Sequence, residues 1–329
     1  MSLFIPLAAV MLLYLAGYYG AKVGLHAAFG VAIPYLAVLL FLVGLVYRVL
    51  SWARVPVPFR IPTTCGQEKS LPWIRQAKLD NPSDTAGVVG RMALEILFFR
   101  SLLRNTKSEL IDNKRVVYSS SPWLWLGAMA FHWSMLVIIL RHLRLVVDPV
   151  PGFITFLQAA DGFLQVGAPV HYITSFLFIA SLLYLLARRL FIPQLRYISL
   201  ANDYFPLFLL LGIGLTGFWL RYIGKTDVVA AKELVLGLAR FRPAGLDAVD
   251  PLFYGHLFLV SVLVAYFPIS KLAHMAGVFL SPTRNLANNN RMVRHVNPWD
   301  YPVKVHTYEE YEDEFREKMK GAGVPVEKE

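Results

Sequence analysis

The chain has 329 residues, of which 56% are apolar and 14% aromatic, and it carries a net charge of +10. Its mean hydropathy of +0.50 is typical of a protein that crosses a lipid bilayer several times. The basic residues fall between the apolar runs, where they orient membrane helices, so the charge does not indicate nucleic-acid binding. The single cysteine, Cys65, excludes intrachain disulfides, cysteine-rich zinc sites and iron–sulfur clusters.

Two apolar runs, residues 3–22 and 27–52, predict membrane helices that are joined by a short turn. We expect residues 1–52 to form a tight N-terminal hairpin. The first run has neither a basic leader nor a clear small-residue cleavage site, so it is interpreted as a retained helix rather than a signal peptide.

Residues 53–120 are rich in Lys and Arg, which by the positive-inside rule predicts a cytoplasmic loop and places the N-terminus in the cytoplasm as well. Prolines introduce residues 61–67, for which we expect irregular structure. Residues 85–103 alternate apolar and charged side chains. They favour either a helix in the membrane interface or a helix that is packed on another part of the loop.

Four further spans are expected in residues 121–281, at about 121–144, 171–187, 203–220 and 250–281. Ser121 and Pro122 form an N-cap and N1 pair at the start of the first of these. An apolar external loop should join it to the next span. We therefore predict an all-α integral membrane protein with six transmembrane helices, in which helices 3–6 form a four-helix bundle. Residues 282–329 predict a polar cytoplasmic tail that lies against a soluble partner, so that both termini are cytoplasmic.

Spans three and six carry two histidines each, His132 with His142 and His256 with His274. Ionisable side chains are costly inside a bilayer, and haem iron accepts two imidazoles as axial ligands. Because these spans run antiparallel, His142 lies at the depth of His256, and His132 at the depth of His274. The pairs predict two b-type haems, stacked about 21 Å apart along the membrane normal.

The angular separation of the two histidines around the helix axis differs between spans three and six. Eighteen residues make five turns, so His256 and His274 are expected on one face, whereas ten residues leave His132 and His142 roughly 80° apart. The alternatives to haem ligands are structural histidines or a proton relay. His171, at the outer end of span four, is a rival ligand, part of a substrate pocket, or an interfacial side chain.

The four histidines and their spacing resemble the gamma subunit of respiratory nitrate reductases, a di-haem cytochrome b. The additional first span and the loop with residues 61–67 resemble the M subunit of the Dsr membrane complex of sulfate- and sulfur-metabolising microbes. The resemblance implies that His132 shares a haem with His274, and His142 with His256. It also implies electron exchange between menaquinone and a cytoplasmic iron–sulfur partner similar to heterodisulfide reductases, the K subunit, within a larger membrane complex.

A quinone is expected at the outer end of the bundle, where Asp161 and His171 are candidate proton acceptors. Arg141 and Arg144 flank His142, and each either pairs with a haem propionate or anchors the helix in the interface by snorkelling. The sequence leaves other functions open. They are a nitrate-reductase-type subunit for another reductase, a proton-conducting protein without haem, and an anchor without redox function.

Overall fold

The computed structural model describes residues 3–55, 66–104, 107–165, 169–292 and 305–328. Cys65 and most of the segment 61–67 lie outside the described residues. The helices are α1 (Phe4–Lys22), α2 (Ile33–Ala53), α3 (Thr85–Phe98), α4 (Arg100–Leu103), α5 (Pro122–His142), α6 (Gly152–Asp161), α7 (Ile173–Phe191), α8 (Pro193–Ile198), α9 (Ala201–Phe218), α10 (Val228–Ala239), α11 (Pro251–Tyr266), α12 (His274–Gly277), α13 (Pro282–Asn285) and α14 (Tyr308–Gly321). Two antiparallel hairpins pair β1 (Lys107–Ile111) with β2 (Arg115–Ser119) and β3 (Gly162–Leu164) with β4 (His171–Tyr172).

Six helical segments are long and apolar enough to cross a membrane. They are Phe4–Lys22, Ala28–Ala53, Pro122–Leu145, Ile173–Phe191, Ala201–Ile223 and Pro251–Ile269. The shortest have 19 residues, which at 1.5 Å per residue is close to the roughly 30 Å of a hydrocarbon core. The prediction of an all-α integral membrane protein with six spans is confirmed.

Helix α11 occupies the centre of the bundle. It packs on α1, α2 and α9, while α9 also contacts α1 and α7, and α7 packs on α5. A Cβ on Gly17 of α1 would lie 2.9 Å from the Tyr254 carbonyl oxygen, and one on Gly255 would lie 2.5 Å from the Tyr14 ring. These glycines allow α1 and α11 to approach closely. The first two spans therefore both pack on α11.

One end of the bundle carries a folded layer made of residues 66–104 and 282–292, which we call the platform. The buried Arg91 of α3 donates to the carbonyl oxygens of Asp80, Arg284 and Leu286. Helix α3 thus packs on the segment that follows the last span. The indoles of Trp125 and Trp133 on α5 donate to the free carbonyls of Phe98 and Leu97 at the end of α3, which satisfies orphan acceptors of a helix terminus.

The opposite end, predicted to be the outer one, is called the loop end. The connection between α5 and α7 was expected to be an apolar loop, but it contains α6 and the β3–β4 hairpin. Helix α10 covers this end through Ala230, Ala231 and Leu234, which are buried in one cluster with Phe253 and Tyr254.

The last span differs from its prediction. Helix α11 ends at Tyr266, and a 3₁₀ turn over Phe267–Ile269 leads to Ser270 in extended conformation, with φ −100° and ψ 176°. Pro268 has no N–H, and its ring opposes a regular helix at this point. The Ser270 hydroxyl then accepts the N–H of Leu272 at 3.1 Å and caps a new helical turn. The prediction of one continuous helix with His256 and His274 on the same face is therefore wrong.

Candidate functional site: two histidine pairs in the membrane bundle

His132 and His274 meet at the platform end. Their ring centroids are 6.0 Å apart, and their planes make an angle of 83°. Two imidazoles that bind one metal ion from opposite sides, with metal–nitrogen bonds of about 2 Å, have ring centroids about 6 Å apart. Because the last span breaks at Ser270, His274 does not have to share the helix face of His256. The roughly 80° between His132 and His142 on α5 therefore no longer conflicts with the pairing of His132 with His274.

His142, the last residue of α5, and His256, near the start of α11, both lie at the loop end. Helix α5 packs mainly on α7, and α11 packs mainly on α1, α2 and α9, so a direct helix contact does not fill the space between the two histidines. Gly217 of α9 leaves room for His256, because a Cβ there would lie 3.2 Å from the imidazole Cε1.

All four imidazoles use Nδ1 in the same way. The acceptors are the carbonyl oxygens of Ala128 for His132 at 2.8 Å, Ile138 for His142 at 2.7 Å and Lys271 for His274 at 2.8 Å, and the hydroxyl of Thr216 for His256 at 2.8 Å. A carbonyl oxygen only accepts, so Nδ1 carries the proton and Nε2 keeps its lone pair. The Thr216 hydroxyl donates to the Gly212 carbonyl at 2.7 Å, which leaves its oxygen to accept from His256. Neutral imidazoles that are anchored in this way present Nε2 to a metal, and the residues therefore fit haem iron.

Arg141 and Asp161 form a buried ion pair beside the loop-end histidines. Their exposed fractions are 8% and 7%, and Arg141 Nε lies 3.2 Å from Asp161 Oδ2. Asp161 also accepts from the backbone N–H and the hydroxyl of Thr174, at 2.9 and 2.6 Å. The Arg141 guanidinium lies 3.8 Å from the centroid of the Tyr172 ring. Both carboxylate oxygens are thus engaged, so Asp161 fastens α6 to α7 and is a poor candidate for an open proton acceptor.

His171 lies in β4 and stacks on Tyr222, with 4.8 Å between ring centroids and 6° between planes. Its Nδ1 is buried and has no hydrogen-bond partner among the described residues. A cleft of about 490 Å³ at the loop end is lined by Phe163, Val170 and Tyr172, but His171 itself does not line it. Arg144, the other predicted flanking arginine, is half-buried in the turn that follows α5.

Two features of the site were not predicted. One is the support of His256 by Thr216 and Gly217. In the sequence these are only a hydroxyl residue beside a glycine in span five, and such pairs are too common in membrane helices to indicate a site. Phe99 lies between α3 and α4 in the left-handed region, with φ 48°, and its ring centroid is 4.8 Å from that of His132. Nothing in the local pattern indicated that contact.

The region that holds both histidine pairs also identifies the family. Residues 92–296 match the nitrate reductase gamma subunit family. The chain belongs to this family. The match contains His132, His142, His256 and His274, so the resemblance inferred from their spacing is confirmed.

Two relatives are similar over most of the chain, and both are described as cytochrome b-like subunits of Hdr-like menaquinol oxidoreductases. The protein from Archaeoglobus fulgidus is 45% identical over 279 residues, which is 83% of each chain. The protein from Archaeoglobus profundus is 39% identical over 277 residues, which is 82% of each chain. This chain is thus a multi-pass membrane protein of a cytochrome b family.

Proposed function

We propose that this chain is the haem-carrying membrane subunit of a menaquinol oxidoreductase. One b haem is held by His142 and His256, and a second by His132 and His274. The common Nδ1 anchoring of the four imidazoles is the observation that carries the proposal, because it leaves the Nε2 lone pair of each histidine to bind iron. A haem with two imidazole ligands carries one electron at a time and has no open position for oxygen chemistry.

The platform end is the cytoplasmic end in this proposal. The basic residues that follow α2 and those of the platform favour that orientation by the positive-inside rule. Both termini of the chain then lie on the cytoplasmic side of the cell membrane. Basic residues at the loop end oppose this orientation. Lys232 is paired there with Asp148 at 2.6 Å, which reduces the excess of positive charge at that end.

The two ends then have different partners. Menaquinol is oxidised at the loop end, where apolar side chains and a few polar groups lie together as in a small-molecule pocket. Electrons leave at the platform end to a cytoplasmic iron–sulfur subunit of heterodisulfide-reductase type. The description of both Archaeoglobus relatives as subunits of Hdr-like menaquinol oxidoreductases supports this assignment. We place the whole complex in dissimilatory sulfur metabolism.

The haem content and the pairing test this function directly. We expect a pyridine haemochrome assay to give two b haems per chain. His142→Ala and His256→Ala should remove the same haem, and His274→Ala should remove the other. His306→Ala is the control, because His306 is solvent-exposed outside the bundle. A wild-type protein with one haem or none contradicts the function, and different losses for His142→Ala and His256→Ala contradict the pairing.

A further inference from the structure

A cleft of about 590 Å³ opens at the platform end, between the end of α2, the junction of α3 and α4, and the residues that follow Ser270. His274 lies in its wall, as does Phe99, whose ring packs edge-on against His132. The cleft therefore reaches the histidine pair from the platform side. Its volume is in the range of pockets that hold small molecules and cofactors.

The cleft is lined by more basic than acidic side chains. Arg48, Lys271 and Arg284 line it, against the single carboxylate of Glu95. Glu95 is engaged, since it accepts from the backbone N–H and the hydroxyl of Ser101. Lys271 has its own partner, Asp203, at 2.6 Å.

The two arginines have no carboxylate partner among the described residues. Arg284 donates to the Ser101 hydroxyl at 3.2 Å. Arg48 lies over the Trp52 ring, 5.2 Å from its centroid, and its buried Nε lacks a hydrogen-bond partner in the described part of the chain. Guanidinium groups bind carboxylates through two parallel hydrogen bonds. Partly buried charges that lack a partner indicate an anionic ligand that the protein itself does not supply.

We propose that Arg48 and Arg284 bind the two propionate carboxylates of the haem held by His132 and His274, and that Lys271 supplies a further positive charge at the cleft mouth. The inference rests on the proposed function. It adds a role for the platform, because Arg284 belongs to the platform and Arg48 to a transmembrane helix. Haem binding at this end then holds the two parts together.

The reduction potential of this haem is the property to measure. An oxidised haem carries one more positive charge than a reduced one, so a nearby cation favours the reduced form. Arg48→Gln and Arg284→Gln should each lower the midpoint potential of the haem that is absent in His274→Ala, while the potential of the other haem is unchanged. Arg48→Lys keeps the charge and should give a smaller shift. Arg54→Gln is the control, because Arg54 is exposed, lies at the end of the same helix and does not line the cleft.

The titrations should use the full-length protein in phosphatidylcholine vesicles, with and without phosphatidylglycerol. Loss of only the platform-end haem from a Gln variant also supports the proposal, if Arg48→Lys retains that haem. The proposal is overturned if both Gln variants keep two haems at wild-type potentials. It is also overturned if the shifts occur only with phosphatidylglycerol, since the arginines then bind lipid headgroups. A wild-type protein without haem overturns the proposed function instead.

Discussion

The hydroxyl of Thr216 distinguishes His256 from the other three histidines, which donate to backbone carbonyls. A backbone acceptor cannot be removed by substitution, but this one can. Thr216→Val keeps the shape of the side chain and deletes the acceptor, so the Nδ1–H of His256 loses the one hydrogen-bond partner that it has among the described residues. The orientation and the tautomer of His256 then become less well defined.

We expect Thr216→Val to weaken haem binding at the loop end by about 10- to 100-fold, the usual cost of removing the hydrogen-bond partner of a metal-binding histidine. Haemin titration of the haem-free protein measures this, with the platform-end haem as internal reference. Thr216→Ser retains the hydroxyl and should bind normally. Equal affinities in wild type and Thr216→Val would show that the hydrogen bond does not support the ligand.

The sequence was sufficient to select the four histidines, because their spacing and their place in apolar runs are visible in the chain. It could not predict Thr216, Gly217 or Phe99, since each reaches its histidine only through the packing of another element. The prediction that Asp161 accepts a proton was limited in the same way, because the sequence does not show the partners of its carboxylate. Its position beside the loop-end histidines was expected, but its engagement by Arg141 and Thr174 depends on the fold.

Among the elements, α1 and α11 have the most extensive helix–helix contact in the described part of the chain. A Cβ on Gly17 would meet Phe258 Cβ and the Tyr254 carbonyl oxygen, both at 2.9 Å. The neighbours include backbone, so relief requires the helices to move apart. Gly17→Ala should destabilise the protein by about 1–3 kcal/mol, as overpacking does. Gly152→Ala, where nothing lies within 4 Å of the new Cβ, is the control. Thermal unfolding in detergent compares them, and an unshifted midpoint for Gly17→Ala would contradict the close contact.

The platform depends on an ionised carboxylate. Burial raises the pKa of Asp80, but hydrogen bonds and charge from Arg100 and Arg104 outweigh it, and the pKa is lowered from its ordinary value of 3.8. Asp80 Oδ1 lies 2.5 Å from Arg100 Nη1, and Oδ2 lies 2.9 Å from Arg104 Nη1. A lowered pKa in the folded state means that this stabilisation is present above pH 3.8 and is lost as the pH falls through the lowered value.

Proteolysis of the platform at a series of acidic pH values, with a protease that is active in acid, tests this. Cleavage in residues 66–104 should increase below the ordinary pKa of Asp80. Asp80→Asn should be cleaved more readily at neutral pH and should show less change with acidification. An identical pH profile in both proteins would assign the transition to other groups.

The transmembrane spans were predictable to within a few residues because length and apolar composition determine them. The break in the last span was not, although Pro268 is visible in the sequence. A proline in a membrane helix either bends it or ends it, and the outcome here depends on Ser270, which adopts an extended conformation and caps the next turn. Helix α6 was missed for a related reason. Its flanking prolines and glycines indicated a loop, whereas the packing of Ile154 and Asp161, both buried, stabilises a helix.

At the scale of the whole molecule, the two ends of the bundle offer different chemistry. The platform end has a cleft with cations that lack a carboxylate partner among the described residues. At the loop end, Asp161 accepts from Thr174 and pairs with Arg141, and Arg141 donates to Thr174. Three buried nitrogens at this end, Nε of Arg141, Nε of Arg221 and Nδ1 of His171, have no hydrogen-bond partner among the described residues. Of the two predicted proton acceptors, Asp161 is engaged through both carboxylate oxygens, so we expect His171 to be the one that accepts a proton from a quinol.

The last prediction concerns that imidazole. His171→Phe retains an aromatic ring that can stack on Tyr222, whose ring is nearly parallel to that of His171 at 6°, and it removes both ring nitrogens. A positioned general base contributes roughly 100-fold or more to a proton-transfer step. Reduction of both haems by a menaquinol analogue should therefore slow by about that factor, while haem spectra and reduction by dithionite stay unchanged. His26→Phe is the matched control, since His26 also lies at the loop end and stacks on a tyrosine, Tyr254, at 5.3 Å. Loss of a haem in His171→Phe would make His171 a ligand, and unchanged quinol kinetics would exclude it as the proton acceptor.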